Sequence, residues 1–144
     1  MTVKQLSVFL ENKTGRINEV VRTLGENGIN MHAFSMAETA DFGILRLIVS
    51  DVDKAVEVLR NKDFAVMSTD VVCINCANVA GSLASILENL AKEDIFIDYM
   101  YAFAQKEDAN IVIKNECNGP LFGSIESSAL QDIEARRVII SSCA

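Results

Sequence analysis

The stretch "ENKTGRINEVVRTLGENGIN", Glu11 to Asn30, joins a polar loop to a segment with regularly spaced apolar residues. After Gly15 the apolar positions fall at i, i+3, i+4 and i+7, which predicts a helix with one buried face. Gly28 follows as a helix stop, because glycine adopts a left-handed φ at little cost. The residues of the predicted stripe are Ile17, Val20, Val21 and Leu24.

The same outline returns 66 residues later in "ANVAGSLASILENLAKEDIF", Ala77 to Phe96. Four of the aligned pairs are identical: Asn12 and Asn78, Gly15 and Gly81, Leu24 and Leu90, and Ile29 and Ile95. Five more pairs exchange one apolar residue for another: Val8 and Ile74, Ile17 and Leu83, Val20 and Ile86, Val21 and Leu87, and Met31 and Ile97. This shared pattern indicates an internal duplication.

The residues around the first stretch predict a complete structural unit. Alternating apolar residues predict a first strand through Leu10, and further strands are predicted at Asn30–Glu38, Phe42–Ser50 and Phe64–Thr69. "SDVD", Ser50 to Asp53, matches a capping box before a second apolar helix stripe. That stripe is Val52, Ala55, Val56 and Leu59. The order β-α-β-β-α-β is typical of a ferredoxin-like fold.

The second copy repeats this order. We predict strands at Val71–Ala77, Ile95–Gln105, Asn110–Asn115 and Arg137–Ser142, with a second helix in "GPLFGSIESSALQ", residues 119–131. The fold class is therefore α+β, with two ferredoxin-like βαββαβ units whose antiparallel sheets carry helices on one face. No linker rich in Gly, Pro or Ser separates the units, and we place the two domains at residues 1–69 and 70–144.

The strand pattern of the first unit also predicts an apolar face opposite the helices. Strand parity assigns Phe9, Phe34, Met36, Ile44 and Ile48 to this face. A face this apolar favours packing on another sheet, and on this ground we expect a homodimer. The alternative is that the parity assignment is out of phase.

Composition limits the class of protein. The chain of 144 residues has a net charge of −7 and no basic stripe, so we expect no nucleic-acid partner. No apolar run approaches the roughly 20 residues of a membrane span, so we expect no membrane partner. The polar residues within "MTVKQLSVFLENKTG" do not resemble a signal peptide, and we expect a cytoplasmic location.

Residues for catalysis or metal binding are few. Cys73 and Cys76 form a C-x-x-C pair within a predicted strand, where residues three apart face opposite sides, while Cys117 and Cys143 are isolated. Buried free thiols are therefore favoured over a zinc site. His32 is the only histidine, and it falls within a predicted strand on the apolar face, so an interface or surface residue is favoured over a catalytic base. We expect a protein that is not an enzyme and that has no cofactor and no metal.

The stretch "LSVFLENKTGRINEVVRTLGENGINMHAFSM" resembles the ACT domain, a small regulatory module that binds ligands. The family pattern is a strand ending in Asp or Asn, a glycine three residues later, an apolar helix, and then G-[IV]-N-I. Here the matching positions are Asn12, Gly15, Gly28, Ile29, Asn30 and Met31. The resemblance covers nearly the whole chain as a tandem pair.

This resemblance implies a regulatory protein that binds an amino acid or a related metabolite between two ACT units. The family's ligand contacts the loop after the first strand and the start of the second strand of a neighbouring unit. The residues implied are Asn12, Lys13, Thr14, Gly15, Arg16, Asn30 and Met31, with Asn78, Val79, Ala80 and Gly81 in the second copy. Free N–H groups at a helix start suit a carboxylate, and side-chain amides suit both charged groups of an amino acid.

The chain departs from the family pattern at several positions. The family often has proline before the loop glycine, where this chain has Thr14 and Ala80, and Phe96 replaces Asn30 in the second copy. The first unit is therefore predicted to hold the better ligand site.

The same residues also have purely structural explanations. Loop glycines and asparagines can start a helix or shape a turn. An arginine at the start of a helix, such as Arg16, is often only exposed to solvent. The second functional hypothesis is a ligand-independent regulatory or interaction subunit of an enzyme of amino-acid metabolism.

Overall fold

The computed structural model of the protein describes residues 2–105 and 107–115. In chain order the elements are β1 (Thr2–Glu11), α1 (Arg16–Glu26), β2 (Met31–Glu38), β3 (Phe42–Val49), α2 (Val52–Arg60), β4 (Ala65–Ala77), α3 (Ser82–Lys92), β5 (Tyr99–Gln105) and β6 (Asp108–Lys114). The helix and the strand predicted at residues 119–131 and 137–142 lie outside the described residues.

Two compact units meet in sequence between Asp70 and Val71. In the first unit the strand order is β2-β3-β1-β4, and β3 pairs antiparallel with both β1 and β2. In the second unit the residues of β4 from Val71 onward pair antiparallel with β6, which pairs antiparallel with β5. The α+β class and the ferredoxin-like order are confirmed. The domain limits 1–69 and 70–144 stay a prediction.

The first unit buries one face of its sheet under α1 and α2. Leu6, Val8 and Leu10 alternate inward along β1, and they meet Val20 and Leu24 of the predicted α1 stripe. Two residues of that stripe are less buried than predicted, because Ile17 is 36% and Val21 is 39% exposed. The second unit has its own core, in which Ile86 and Leu90 of α3 pack with residues of β4 and β6.

Several element boundaries differ from the prediction, and the largest differences lie in β4, β5 and β6. The strands predicted at Phe64–Thr69 and Val71–Ala77 are one continuous strand, β4, since no glycine or proline interrupts this sequence. The strand predicted from Ile95 begins only at Tyr99, while Ile95 and Ile97 pack on the core of the second unit. The predicted strand Asn110–Asn115 runs from Asp108 to Lys114.

The predicted capping box before α2 is wrong by one residue. Asp51 is the N-cap, and its side chain accepts a hydrogen bond from the backbone N–H of Lys54 at 3.0 Å. The hydroxyl of Ser50 is occupied elsewhere, because it accepts a hydrogen bond from the backbone N–H of Asn30 at 3.0 Å. Asp and Ser are similarly good N-caps, so the sequence pattern could not separate the two.

The predicted apolar face of the first unit is partly wrong because β2 contains a bulge. Met31 lies opposite Val49, but Ala33 lies opposite Ile48, so β2 carries one extra residue at His32. Beyond the bulge, Phe34 and Met36 lie on the sheet face that the helices cover.

Phe34 pairs with Leu47 and Met36 pairs with Leu45, and both leucines belong to the core beneath the helices. Cross-strand partners share a face, so Phe34 and Met36 lie on the helix side of the sheet and not opposite it. Both are nevertheless exposed, at 66% and 52%. Ile48 is also not an open surface residue, since it is 2% exposed within the chain itself.

Candidate functional site

The first loop, residues 12–15, ends in a glycine with a special backbone conformation. Gly15 is the N-cap of α1 with φ of 90°, in the left-handed region that disfavours other residues. A Cβ atom at this position would meet no atom within 4 Å, so the glycine is required by its backbone angle and not by crowding. Because Gly15 has no side chain, it cannot cap the first-turn amides of α1.

The second loop, residues 78–81, repeats this geometry. Gly81 is the N-cap of α3 with φ of 92°, and the space around it is equally open. The hydrogen bonds also match: Glu19 N donates to Gly15 O at 3.0 Å, and Ser85 N donates to Gly81 O at 3.1 Å. The duplicated loop is thus the same turn in both units, built to start a helix without a side-chain cap.

Asn12 connects the first loop to the turn between β2 and β3. Its side-chain N–H donates to the backbone carbonyl of Thr39 at 3.4 Å. The alternative in which Asn12 caps α1 is therefore wrong, because the N-cap is Gly15. This hydrogen bond holds the exposed side-chain amide of Asn12, the first residue of the loop, beside Thr39.

Lys13 and Thr14 are exposed on the same loop. The ammonium of Lys13 lies 2.6 Å from a carboxylate oxygen of Glu11, the last residue of β1. This hydrogen bond, helped by the charges of Lys13 and Arg16, holds the pKa of Glu11 below its usual range. The exposed edge of the loop therefore carries a paired carboxylate and ammonium.

Arg16, the first residue of α1, is held by the protein and is not simply solvated. Its Nη1 donates to Glu19 Oε2 at 2.6 Å, and the guanidinium carbon lies 4.4 Å from the ring centroid of Phe64. The Nε atom is buried and has no hydrogen-bond partner. These contacts place a positive charge next to the open first turn of α1, where an anion would also meet the helix dipole.

Asn30 and Met31 lie at the start of β2. The backbone of Asn30 makes two hydrogen bonds with Ser50, since Asn30 N donates to Ser50 Oγ at 3.0 Å and Ser50 N donates to Asn30 O at 2.9 Å. The side chain of Asn30 is exposed, whereas Met31 is half-buried against the core. The backbone of Asn30 is therefore fixed while its side chain faces solvent.

The first loop and Asn30 are not close together within the first unit. Asn12 contacts Thr39, which follows the end of β2, and Asn30 precedes its beginning. The eight residues of β2 span roughly 24 Å at the usual rise of an extended strand. The structure thus brings Asn12 to Arg16 together at one end of the sheet and places Asn30 and Met31 at the other.

The second loop is more apolar than the first. Val79 is 66% exposed, Ala80 and Gly81 are exposed, and Asn78 N donates to the carbonyl of Glu107 at 2.7 Å. Phe96, which aligns with Asn30, is 70% exposed. The two copies therefore share a backbone turn but present different side-chain chemistry.

The described residues hold no group of three or more His, Cys, Asp or Glu side chains placed to bind a metal ion. Cys73 and Cys76 are buried thiols, and burial raises the pKa of both. Only Cys76 belongs to the core beneath α3, consistent with opposite orientations along the strand. Cys117 and Cys143 lie outside the described residues. Within the described ranges, no helix has the length and apolarity to cross a membrane.

Sequence reasoning missed three residues that position the candidate site. The backbone carbonyl of Thr39 accepts a hydrogen bond from the side chain of Asn12. Ser50 forms hydrogen bonds with the backbone of Asn30. The ring of Phe64 lies against the guanidinium of Arg16. Each is at least 20 residues from its partner in sequence. No local pattern links such pairs, because the contacts arise only when the sheet has formed.

Comparisons with known proteins agree with this architecture. A sequence model of the ACT domain pair matches residues 1–134. A protein of Bacteroides thetaiotaomicron with a known crystal structure is 49% identical, with a TM-score of 0.83 over 92% of this chain and 90% of that protein. No curated protein matches the chain significantly.

More distant structures share the fold. The ligand-free regulatory subunit of aspartate kinase from Thermus thermophilus is 13% identical, with a TM-score of 0.66 over 89% of this chain and 91% of that subunit. Aspartokinase III of E. coli, solved with lysine and aspartate, is 11% identical, with a TM-score of 0.56 over 93% of this chain and 32% of that enzyme. With its duplicated loop–helix unit and a match to the family over residues 1–134, this chain belongs to the ACT family and carries a pair of ACT domains.

Proposed function

We propose that the protein is a non-catalytic regulatory sensor that binds an amino acid or a related metabolite between two ACT units. The observation that carries this proposal is the open, uncapped helix start behind Gly15, with Asn12 and Arg16 beside it. The first-turn N–H groups of α1 can donate hydrogen bonds to the carboxylate of an amino acid, and the helix dipole stabilises that charge.

The ammonium group of such a ligand needs an acceptor, which a side-chain amide oxygen supplies. Asn30 has an exposed side chain on a fixed backbone, and we assign this role to it. Because Asn30 lies at the opposite end of its own sheet, one ligand can meet the first loop and Asn30 only if they come from different ACT units. We therefore propose that the protein is a homodimer and that it is located in the cytoplasm.

The mechanism we propose is a shift between two arrangements of the dimer. A ligand that binds one arrangement more tightly increases its population by that difference in affinity. A separate protein, such as an enzyme of amino-acid metabolism, would respond to this change. The distant aspartate kinase structures support only the fold, so they do not identify the partner.

A thermal-shift screen tests the sensor proposal. The purified protein is heated with each of the twenty amino acids and with their 2-oxo acids. A ligand that binds only the native state at about 100 times its dissociation constant adds about 2.7 kcal/mol of stability. The proposal is supported if one compound raises the melting temperature of the wild-type protein but not that of the Asn12→Ala variant.

A second candidate function is supported by the second unit. Phe96 and Val79 are exposed and apolar where the first unit has Asn30 and Lys13. Such residues favour a protein contact over recognition of an amino acid. A flat screen with a folded protein would therefore favour a ligand-independent interaction subunit, which affinity capture with enzymes of amino-acid metabolism would then test.

A further inference from the structure

The C-terminal end of α1 carries a chemically reactive pair of residues. Asn27 is the C-cap of the helix and Gly28 follows it directly. In an Asn-Gly pair the backbone nitrogen of the glycine can attack the side-chain carbonyl carbon of the asparagine, because glycine has no Cβ atom to hinder the approach. Asn27 is half-buried and Gly28 is exposed, so the pair is accessible to water.

The closed helix cap holds both reacting groups in hydrogen bonds. The side-chain nitrogen of Asn27 donates to the backbone carbonyl of Thr23 at 2.8 Å. The backbone N–H of Gly28 donates to the carbonyl of Gly25 at 3.0 Å. The attack needs the Gly28 nitrogen without its proton and beside the side chain of Asn27. Both hydrogen bonds must therefore open before the pair can react.

Lys54 holds this cap from the neighbouring helix α2. Its Nζ donates to the backbone carbonyl of Asn27 at 2.7 Å. The last turn of α1 has no basic residue of its own, so Lys54 supplies the positive charge that the C-terminus of a helix favours. The backbone N–H of Lys54 is held in turn by the side chain of Asp51, the N-cap of α2. The closed state of the cap is thus stabilised by a second element.

The backbone turn after α1 does not itself require glycine. Gly28 has φ of 69°, and a Cβ atom there would meet no atom within 4 Å. The residues that take the same left-handed conformation after α2 and α3 are Asp63 and Asp94, with φ of 62° and 55°. Aspartate tolerates this conformation better than most residues. Among the described helices, only α1 therefore combines the turn with an Asn-Gly pair.

We propose that Asn27 is a deamidation site whose reaction is controlled by opening of the α1 cap. In the open cap, the Gly28 nitrogen gives its proton to solvent and forms a bond to the side-chain carbon of Asn27. The bond from that carbon to the side-chain nitrogen breaks, and the nitrogen takes up a proton and leaves as ammonia. Water then opens the five-membered ring at either carbonyl carbon. Breaking the new bond gives aspartate, and breaking the original backbone bond gives isoaspartate, so one water is consumed and no redox partner is needed.

Both products disturb the end of α1. Isoaspartate adds one carbon to the main chain, whereas Ile29 N donates to Leu24 O at 2.9 Å and the side chain of Ile29 is buried in the core. Aspartate replaces the donor to Thr23 O by an acceptor. We therefore expect the modified protein to be less stable.

The reaction at Asn27 is independent of the proposed ligand. Only its consequence for Asn30, three residues later, rests on the proposed function, because a shifted main chain would displace that side chain. The tests below measure mass and stability without a ligand. A failed ligand screen and a failed deamidation test are therefore distinguishable.

The first experiment compares the folded protein with the protein in guanidinium chloride, both incubated in mildly alkaline buffer. Tryptic peptide mapping by mass spectrometry separates Asn27 from Asn118, which precedes Gly119 outside the described residues. In denaturant the two should convert at similar rates, because only local sequence then acts. In the folded protein Asn27 should convert at least roughly tenfold more slowly than in denaturant, because the helix end must open first. Equal rates for Asn27 in both states, or no conversion in denaturant, would overturn the proposal.

The second experiment removes the contact from α2. Lys54→Met should speed the conversion of Asn27 in the folded protein by about 2- to 10-fold, the range that the loss of one hydrogen bond implies. Lys62→Met, at an exposed lysine just after α2, is the matched control and should leave the rate unchanged. If Lys54→Met converted no faster than the wild type, the cap would not control the reaction.

The third experiment removes the reactive pair and keeps the turn. Gly28→Asp retains a residue suited to the left-handed conformation, while its Cβ atom hinders the attack. After prolonged incubation, the urea midpoint of the wild-type protein should fall, and that of Gly28→Asp should stay near its starting value. Both proteins share Asn118, so its modification affects them equally. An equal fall in both midpoints would contradict a destabilising reaction at Asn27.

Discussion

Asn12 and Asn30 lie at opposite ends of the sheet of the first unit, separated by the length of β2. Each is held by a residue distant in sequence: the side chain of Asn12 donates to Thr39 O, and the backbone of Asn30 bonds to the hydroxyl and the backbone N–H of Ser50. A ligand as small as an amino acid cannot span roughly 24 Å, so a shared ligand requires two units. This relationship makes the interface between chains part of the proposed site.

Replacing Asn30 tests its role in binding. Asn30→Ala should weaken binding of the compound found in the thermal-shift screen by about 1–3 kcal/mol, since a hydrogen bond to a charged group is lost. Isothermal titration calorimetry measures the change. Stability should change little, because Ser50 bonds to the backbone of Asn30 and not to its side chain. Asn61→Ala, at an exposed asparagine after α2, is the control. Equal affinities in the two variants would remove Asn30 from the site.

The loop glycine should be sensitive to substitution through its backbone alone. Gly15→Ala should lower the free energy of unfolding by about 1 kcal/mol, because φ of 90° is strained for alanine although no atom would clash. Gly25→Ala should instead raise it by roughly 0.5–1 kcal/mol, because Gly25 lies inside α1 in equally open space. Urea denaturation measures both values. Stabilisation by both substitutions would contradict the left-handed conformation of Gly15.

The N-cap of α2 gives a test of the corrected capping residue. Asp51→Ala should destabilise the protein by about 1 kcal/mol, because the N–H of Lys54 loses its acceptor. Asp51→Asn should keep most of this stability, since asparagine is an equally good N-cap. Urea denaturation of the two variants provides the comparison. If Asp51→Ala were as stable as Asp51→Asn, the hydrogen bond to Lys54 would contribute nothing.

The ion pair at the first loop predicts a measurable shift in acidity. Lys13→Gln should raise the pKa of Glu11 toward its usual range, because the hydrogen bond and charge of Lys13 are the main causes of its lowering. Carbon-detected NMR titration of the Glu11 carboxyl group measures this pKa, with Lys62→Gln as the control.

The sign of the pH effect follows from this lowered pKa. Since the pKa of Glu11 is lower in the folded than in the unfolded state, its ion pair stabilises the fold above the unfolded pKa and is lost as pH falls through the folded one. Glu11 is exposed, so this contribution is small. An unchanged pKa in Lys13→Gln would show that the contact with Lys13 does not persist in solution.

The order of elements was predictable from sequence because each depends on local periodicity. The apolar stripe of α1 and the alternation along β1 reflect burial against one core. The second unit repeats the same pattern in its own core. The bulge at His32 was not predictable, since one extra residue in β2 is visible only against the register of β3. It moved Phe34 and Met36 to the other face and so changed the predicted interface.

The candidate site was predictable only in part. The spacing from Asn12 to Gly15 identifies the loop, and its repetition at Gly81 supports a special backbone turn. The contacts of Arg16 with Phe64 and of Asn12 with Thr39 depend on tertiary structure. A pattern of residue types gave the position of the loop but not the distance that separates it from Asn30.

A site shared between two chains is tested most directly by mixing two defective variants. Asn12→Ala and Asn30→Ala homodimers each lack one half of every site, and mixed dimers contain one intact site each. After subunit exchange, titration calorimetry with the compound from the screen should recover tight binding at about one quarter of the wild-type sites. If the variants exchange subunits and no tight binding returns, the ligand site does not combine Asn12 of one chain with Asn30 of the other.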